Sequence, residues 1–194
     1  MRNRKHLFPI LGLLVISSIC HAQNKAAWQF RSINQLGLLE GETGSAFQIQ
    51  TINGAQYKSW FGGIGIGLDY YRFRSIPLFA DFRKDFGGKN KFFFIYADGG
   101  IHFSWLTDDQ KRIYAGYNNG PNDFSNGFYM SAGIGYKIIL NGKLAFFISP
   151  GYSYKKSEAK TTTTICPFQG PCYINTDRYD YNMSRLSVNA GIEF

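Results

Sequence analysis

The sequence predicts an all-β protein, an eight-stranded antiparallel up-and-down transmembrane β-barrel, and three observations lead there. Stretches of strict alternation recur along the 194 residues, each with one apolar face and one polar or small face. The stretches are joined by connections that alternate between tight turns and long polar loops. Finally, 22 glycines and 18% aromatics accompany only 18% charged residues, a composition that excludes disorder. A helical membrane protein is excluded as well, because each helical span needs ~20 consecutive apolar residues and the mean hydropathy is −0.22.

The elements follow in order. Residues 28–40 and 45–53 are the two weakest strands, and Leu38-Leu39 blurs the alternation in the first. In 60–70, Trp60, Ile64, Ile66, Leu68 and Tyr70 alternate with Gly63, Gly65, Gly67 and Asp69. Segment 76–86 sets Ile76, Leu78, Ala80 and Phe82 against Asp81, Arg83 and Asp85. Segment 91–105 puts Phe93, Ile95, Ala97, Ile101, Phe103 and Trp105 opposite Phe92, Phe94, Tyr96, Asp98, His102 and Ser104. In 128–140 the outer set runs Phe128, Met130, Ala132, Ile134, Tyr136, Ile138, Leu140, against Ser131, Gly133, Gly135 and Lys137. Segment 144–154 repeats the pattern, with Pro150-Gly151 expected to mark a bulge because proline cannot donate to a ladder. The clearest strand is 185–194, R-L-S-V-N-A-G-I-E-F, in which Leu186, Val188, Ala190, Ile192 and Phe194 share one face. Period two is the signature of a strand.

Short turns are expected at 53–59, 87–90 and 141–142, the last being the hairpin dipeptide Asn-Gly. Long loops are expected at 106–126 and 155–180, on the opposite side from the turns. This asymmetry is that of outer-membrane barrels. Residues 1–22 read as a secretory signal peptide, with Arg2, Arg4 and Lys5 before the apolar run Leu7–Ile19 and cleavage after Ala22. Residues 23–194 then form the barrel domain. The signal carries three of the 21 basic residues and none of the 13 acidic ones, so the formal +8 falls to +5, the excess of 18 over 13. That balance and export both speak against a nucleic-acid partner. Cys166 and Cys172, the two cysteines remaining, are expected to pair as a disulfide in an exported chain.

Alternation fits two barrels with opposite faces: a soluble ligand-binding barrel with apolar residues inside, and a membrane barrel with them outside. Three features favour the membrane. Trp60, Tyr70, Tyr71, Trp105, Tyr152 and Tyr154 sit near strand ends, where interfacial girdles belong. The opposite faces are dominated by Gly, Ser and charges of both signs, which suits a narrow interior, and the chain ends on an aromatic residue. Asp69, Asp81, Arg83, Asp85, Asp98, Lys137, Arg185 and Glu193 are the candidate lumen residues. A mutually neutralising network is expected of them rather than an ion path, because a buried charge is costly unless paired.

The final strand resembles the terminal signal by which outer-membrane barrels are recognised for assembly. Ile192 and Phe194 stand at its hydrophobic positions and Ser187 at its polar one, while Asn189 stands where the pattern usually has glycine. The segments N-Q-L-G-L-L-E-G (34–41), G-I-G-I-G-L-D-Y-Y (63–71) and S-I-P-L-F-A-D-F-R (75–83) resemble small outer-membrane β-barrel proteins of the Bacteroidota. The resemblance implies a Gram-negative outer-membrane location, outer-membrane lipid and the barrel assembly machinery as partners, and little about activity.

For chemistry the chain offers little. Of three histidines, His6 and His21 lie in the signal, leaving His102. One histidine and a distant cysteine pair assemble no metal site, so no metal or cofactor is expected. His102-Phe103-Ser104 resembles the catalytic His-x-Ser pair of lipid A 3-O-deacylases, in which a neighbouring strand supplies an acid. Here the following strand, 127–140, carries no acid; Met130-Ser131 lies about where one is needed, and Asp108 and Asp109 fall in the loop beyond. The expected role is therefore non-enzymatic and monomeric: envelope structure, or surface binding through loops 106–126 and 156–180. The alternatives are a lipid A deacylase-like enzyme using His102 and Ser104, and a periplasmic small-ligand barrel.

Overall fold

A computed structural model describes residues 28–42, 44–71, 73–88, 91–106, 122–141 and 144–194. Nine strands form one antiparallel sheet: β1 (Trp28–Glu40), β2 (Ala46–Tyr57), β3 (Trp60–Asp69), β4 (Ser75–Gly87), β5 (Lys91–Ser104), β6 (Asn122–Phe124), β7 (Gly127–Asn141), β8 (Leu144–Ile165) and β9 (Tyr173–Glu193). Each long strand pairs with the next, and β1 pairs with β9, so eight strands close into a ring. The three-residue β6 is an addition that lies against the far end of β8. The signal segment 1–22 and loop residues 107–121, with Asp108 and Asp109, lie outside the described residues.

The faces decide between the two barrels. Ile64, Phe93, Ile134 and Leu186 point outward with 63–68% of their surface exposed, whereas Asp69, Asp81 and His102 are completely enclosed. The apolar belt faces outward and the polar groups face in, the arrangement of a transmembrane barrel and the inverse of a soluble ligand-binding one. Leu38 and Leu39, which blur β1, divide between the faces: Leu38 is in the belt and Leu39 is buried in the lumen.

Eight strands leave an interior that side chains can fill. Phe61, Phe79, Phe94, Tyr96, Tyr129 and Phe147, with Ile33 and Ile52, form its apolar core. Glycine makes room for these rings where they lie against the wall. A Cβ on Gly135 would stand 2.2 Å from the Phe94 ring, and one on Gly65 would stand 2.4 Å from that of Phe79.

Three expectations need correction. First, Pro150 marks no bulge. The β7–β8 register is the same at Gly133↔Gly151 as at Tyr136↔Ile148, with only the two intervening pairs missing. Pro150 withholds its donor locally while its side chain projects outward, and the actual irregularity lies at Ile139/Asn141, beside the turn. Second, Tyr71 is not a girdle residue: it is buried in the lumen, where burial pushes its hydroxyl well above the ordinary value and keeps it neutral. Trp60, Tyr70, Trp105 and Tyr152 do face outward. Third, most of 155–180 is not loop. β8 and β9 stay paired without interruption from Ala145↔Glu193 to Ile165↔Tyr173, leaving only the tip 166–172 irregular. Polar residues fall on both faces of that upper hairpin, as in Lys155-Lys156-Ser157-Glu158, so no alternation of hydropathy announces it.

Candidate functional site

Two places concentrate chemistry: the lumen, and the hairpin that rises beyond the ring. The lumen is organised in three tiers that can be followed along β4. At the turn end, Lys137 Nζ lies 2.8 Å from Asp85 Oδ2 and 3.0 Å from Glu193 Oε2, and Arg31 also bonds Glu193. In the middle, Arg83 forks onto Asp81, with Nη2 2.9 Å from Oδ2, while Asp81 stands opposite Asp98 in the β4–β5 register. At the loop end, Lys155 pairs with Asp69, and both bond Ser75, whose Oγ accepts from Lys155 at 2.8 Å and donates to Asp69 at 2.8 Å.

Every candidate lumen residue therefore does face the interior. Arg185 closes the loop end differently, donating to the backbone carbonyls of Leu39, Gly44 and Tyr71. With it, among the described residues, five basic side chains (Arg31, Arg83, Lys137, Lys155, Arg185) stand against five acidic ones (Asp69, Asp81, Asp85, Asp98, Glu193). Such balance is what burial of charge requires, since an unpaired ion inside loses its hydration without compensation.

The sequence reading missed Lys155 and an amide ladder. Gln35 donates to Gln50, Gln50 donates to Tyr129 Oη at 3.1 Å, and Gln48 donates to Asn189, joining β1, β2, β7 and β9 across the interior. Period two in 28–40 and 45–53 does place these amides on one face. Lys155 left no such mark, because it sits in the polar run Lys155-Lys156-Ser157-Glu158.

One cavity of about 230 Å³ opens at the turn end, and its lining includes the Lys137–Asp85 pair. A larger groove, about 680 Å³, lies on the outside of the belt between Leu36, Ile49, Ile66 and Ile192. There the outward pair Thr51 and Asn34 satisfy each other through a 2.8 Å hydrogen bond.

His102 and Ser104 are both on the inner side of β5, but they are engaged elsewhere. His102 Nε2 donates to the Lys156 carbonyl at 3.0 Å, and Ser104 Oγ donates to that of Ser125 at 3.2 Å. Gly127, not Met130-Ser131, stands opposite His102; Met130 and Ser131 pair with Gly99 and Asp98. Among the described residues neither side chain hydrogen-bonds the other, and no carboxylate bonds His102 Nδ1. No group of three or more potential metal ligands converges among them either.

The second place is the β8–β9 hairpin. The β7 ladder on β8 ends at Lys155, and the β1 ladder on β9 ends at Leu186. At ~3.3 Å per residue, β8 beyond Lys155 reaches roughly 30 Å further. A disulfide between Cys166 and Cys172 closes the tip, as the sequence suggests, and Phe168 within it is fully exposed. Tyr173, Ile174 and Tyr179 add exposed apolar surface below.

No protein-family model matches this chain, and no curated protein sequence matches it. Its resemblance to Bacteroidota barrels thus gains no family assignment. Solved structures do match. Neisserial surface protein A (NspA) aligns over 88% of this chain and 98% of its own, with a TM-score of 0.52 and 11% identity. The outer membrane protein OprG from Pseudomonas aeruginosa aligns over 84% of this chain and 94% of its own, with a TM-score of 0.52 and 13% identity. At such identities the likeness is one of fold, that of small outer-membrane β-barrels.

Proposed function

We propose that this chain is an integral barrel of a Gram-negative outer membrane, exported by a cleaved signal segment 1–22, whose role is binding at the surface rather than catalysis or conduction. The observation that carries the reading is the division of labour within one chain. An apolar belt surrounds a charge-balanced, side-chain-filled lumen, while a disulfide-tipped hairpin extends far beyond the ring. Fold likeness to NspA and OprG supports the membrane part. A filled lumen leaves the hairpin as the part with surface to offer a partner, and exposed tyrosines suit contact at low entropic cost.

The test is fractionation followed by surface labelling. The protein should stay with outer membranes through alkaline extraction and show heat-modifiable migration. A cysteine in place of Gln169 should react on intact cells with a membrane-impermeant maleimide. Release without detergent would refute the membrane assignment, and labelling only after lysis would refute the surface role of the hairpin.

A further inference from the structure

Among the described residues the hairpin carries a strand edge with no neighbouring strand, and its charges say what fits it. Phe194 donates to Ser32 O at 3.0 Å and accepts from Ser32 N at 2.8 Å, so its peptide groups point toward β1. Peptide direction alternates along a strand. The β8–β9 register runs without a break, so the even-numbered residues of β9 all point that way. Above Leu186, where β1 stops, Ser184, Asn182, Asp180, Arg178 and Thr176 therefore direct N–H and C=O groups to a side that carries no strand among the described residues. A long open edge of this kind is a template for another strand.

The side chains of this edge are frustrated within the hairpin. Glu158 stands directly opposite Asp180, and Lys160 directly opposite Arg178. Like charges in direct opposition oppose pairing. Glu158 relieves part of this by taking Arg178 diagonally across the strands, Nε at 3.0 Å, and Lys160 two residues along its own strand, Nζ at 3.6 Å. Asp180 has no cation of its own among the described residues.

We propose that the β9 edge pairs antiparallel with the same edge of a second copy, about a two-fold axis through Tyr179. That register sets Asp180 opposite Arg178 of the second copy, and Arg178 opposite its Asp180. Each row across the four strands then carries two acids facing two bases, Glu158 and Asp180 against Arg178 and Lys160. Even residues meet even residues, so the free peptide groups fall into hydrogen-bonded pairs and the charged side chains share one face. Because the axis is perpendicular to the sheet, the two barrels point in opposite directions. The contact thus joins copies held in facing membranes, a homotypic link instead of the isolated monomer expected from the sequence. This rests on the hairpin being the binding element proposed above.

The test is site-directed cross-linking of the full chain, folded in detergent. Tyr179 meets its own counterpart in a non-hydrogen-bonded pair, where Cα atoms approach to ~4.5 Å, within disulfide range. Tyr179→Cys should give a covalent dimer on mild oxidation, and Thr176→Cys, which faces Asn182 of the second copy, should not. Asp180→Arg added to Tyr179→Cys should lower the dimer yield at least tenfold, and Arg178→Asp on top should restore it. A folded, heat-modifiable Tyr179→Cys protein that stays monomeric overturns the proposal. So does equal cross-linking at Thr176, indifference to the charge changes, or a different protein occupying the edge. Surface labelling of cells is a separate readout, so loss of this pairing and loss of the surface role are distinguishable.

Discussion

Lys155 and Asp69 meet across the barrel interior with neither side chain exposed to solvent, joining the eighth strand to the third at the loop end of the lumen. Their charges are each other's principal compensation, with Ser75 bonded to both. Lys155→Met leaves Asp69 buried without its cation. An uncompensated buried charge costs ~3–5 kcal/mol, so the urea midpoint of the folded barrel should fall steeply. Adding Asp69→Leu should recover most of the loss, because it removes the orphaned carboxylate. A single variant as stable as the parent would show that the pair carries no such weight.

Gly135 is fixed by the ring beside it. A methyl group there would stand 2.2 Å from Phe94. Gly135→Ala should destabilise by ~1–3 kcal/mol, the usual range for overpacking, and Phe94→Leu in the same chain should return part of it. Unfolding in urea, followed by tryptophan fluorescence, measures both.

Conductance follows from the charge tiers. Reconstituted into planar bilayers, the protein should give no unitary current steps, because ion pairs and aromatic rings occupy the lumen at each level. Regular single-channel steps would contradict the filled interior.

At Pro150 the ladder loses two pairs without losing register. The amide of Ile134, which faces Pro150, should exchange with deuterium faster than those of Gly135, which faces Phe94, and Tyr136, which faces Ile148. Pro150→Ala, which restores a donor, should slow it. Uniform protection along β7 would show that the gap is closed in solution.

The disulfide serves the hairpin tip and not the ring. Cys166→Ser with Cys172→Ser should leave the unfolding midpoint of the barrel unchanged and speed proteolytic cutting between residues 166 and 172. The reason is that the bond closes a loop of sequence separation 6, well away from the lumen network.

The ring was legible wherever one face of a strand touches lipid. Ile64, Phe93, Ile134 and Leu186 announce β3, β5, β7 and β9 because hydropathy alternates only when the two faces meet different surroundings. Lys156, Glu158 and Lys160 lie above that belt, where polar residues fall on both faces, so the upper hairpin hid in what read as loop. Pro150 misled for another reason: a missing donor was equated with an extra residue, whereas this strand skips a bond and keeps its count. The charges of the lumen were legible as a set but not as pairs. Partnership between Lys155 and Asp69, 86 residues apart, depends on curvature and tilt that a linear pattern does not encode.

The joining of β1 to β9 has a bearing on biogenesis. Arg31 finds Glu193 across a sequence separation of 162, and Gln48 finds Asn189 across 141. Until the last strand arrives, the first strands carry polar groups whose partners are not yet in place, and these groups resist transfer into hydrocarbon. Insertion strand by strand is therefore disfavoured. These pairings favour a concerted closure in which β9 docks on β1 as the ring forms, and a chain lacking β9 should fail to reach the folded, heat-modifiable state.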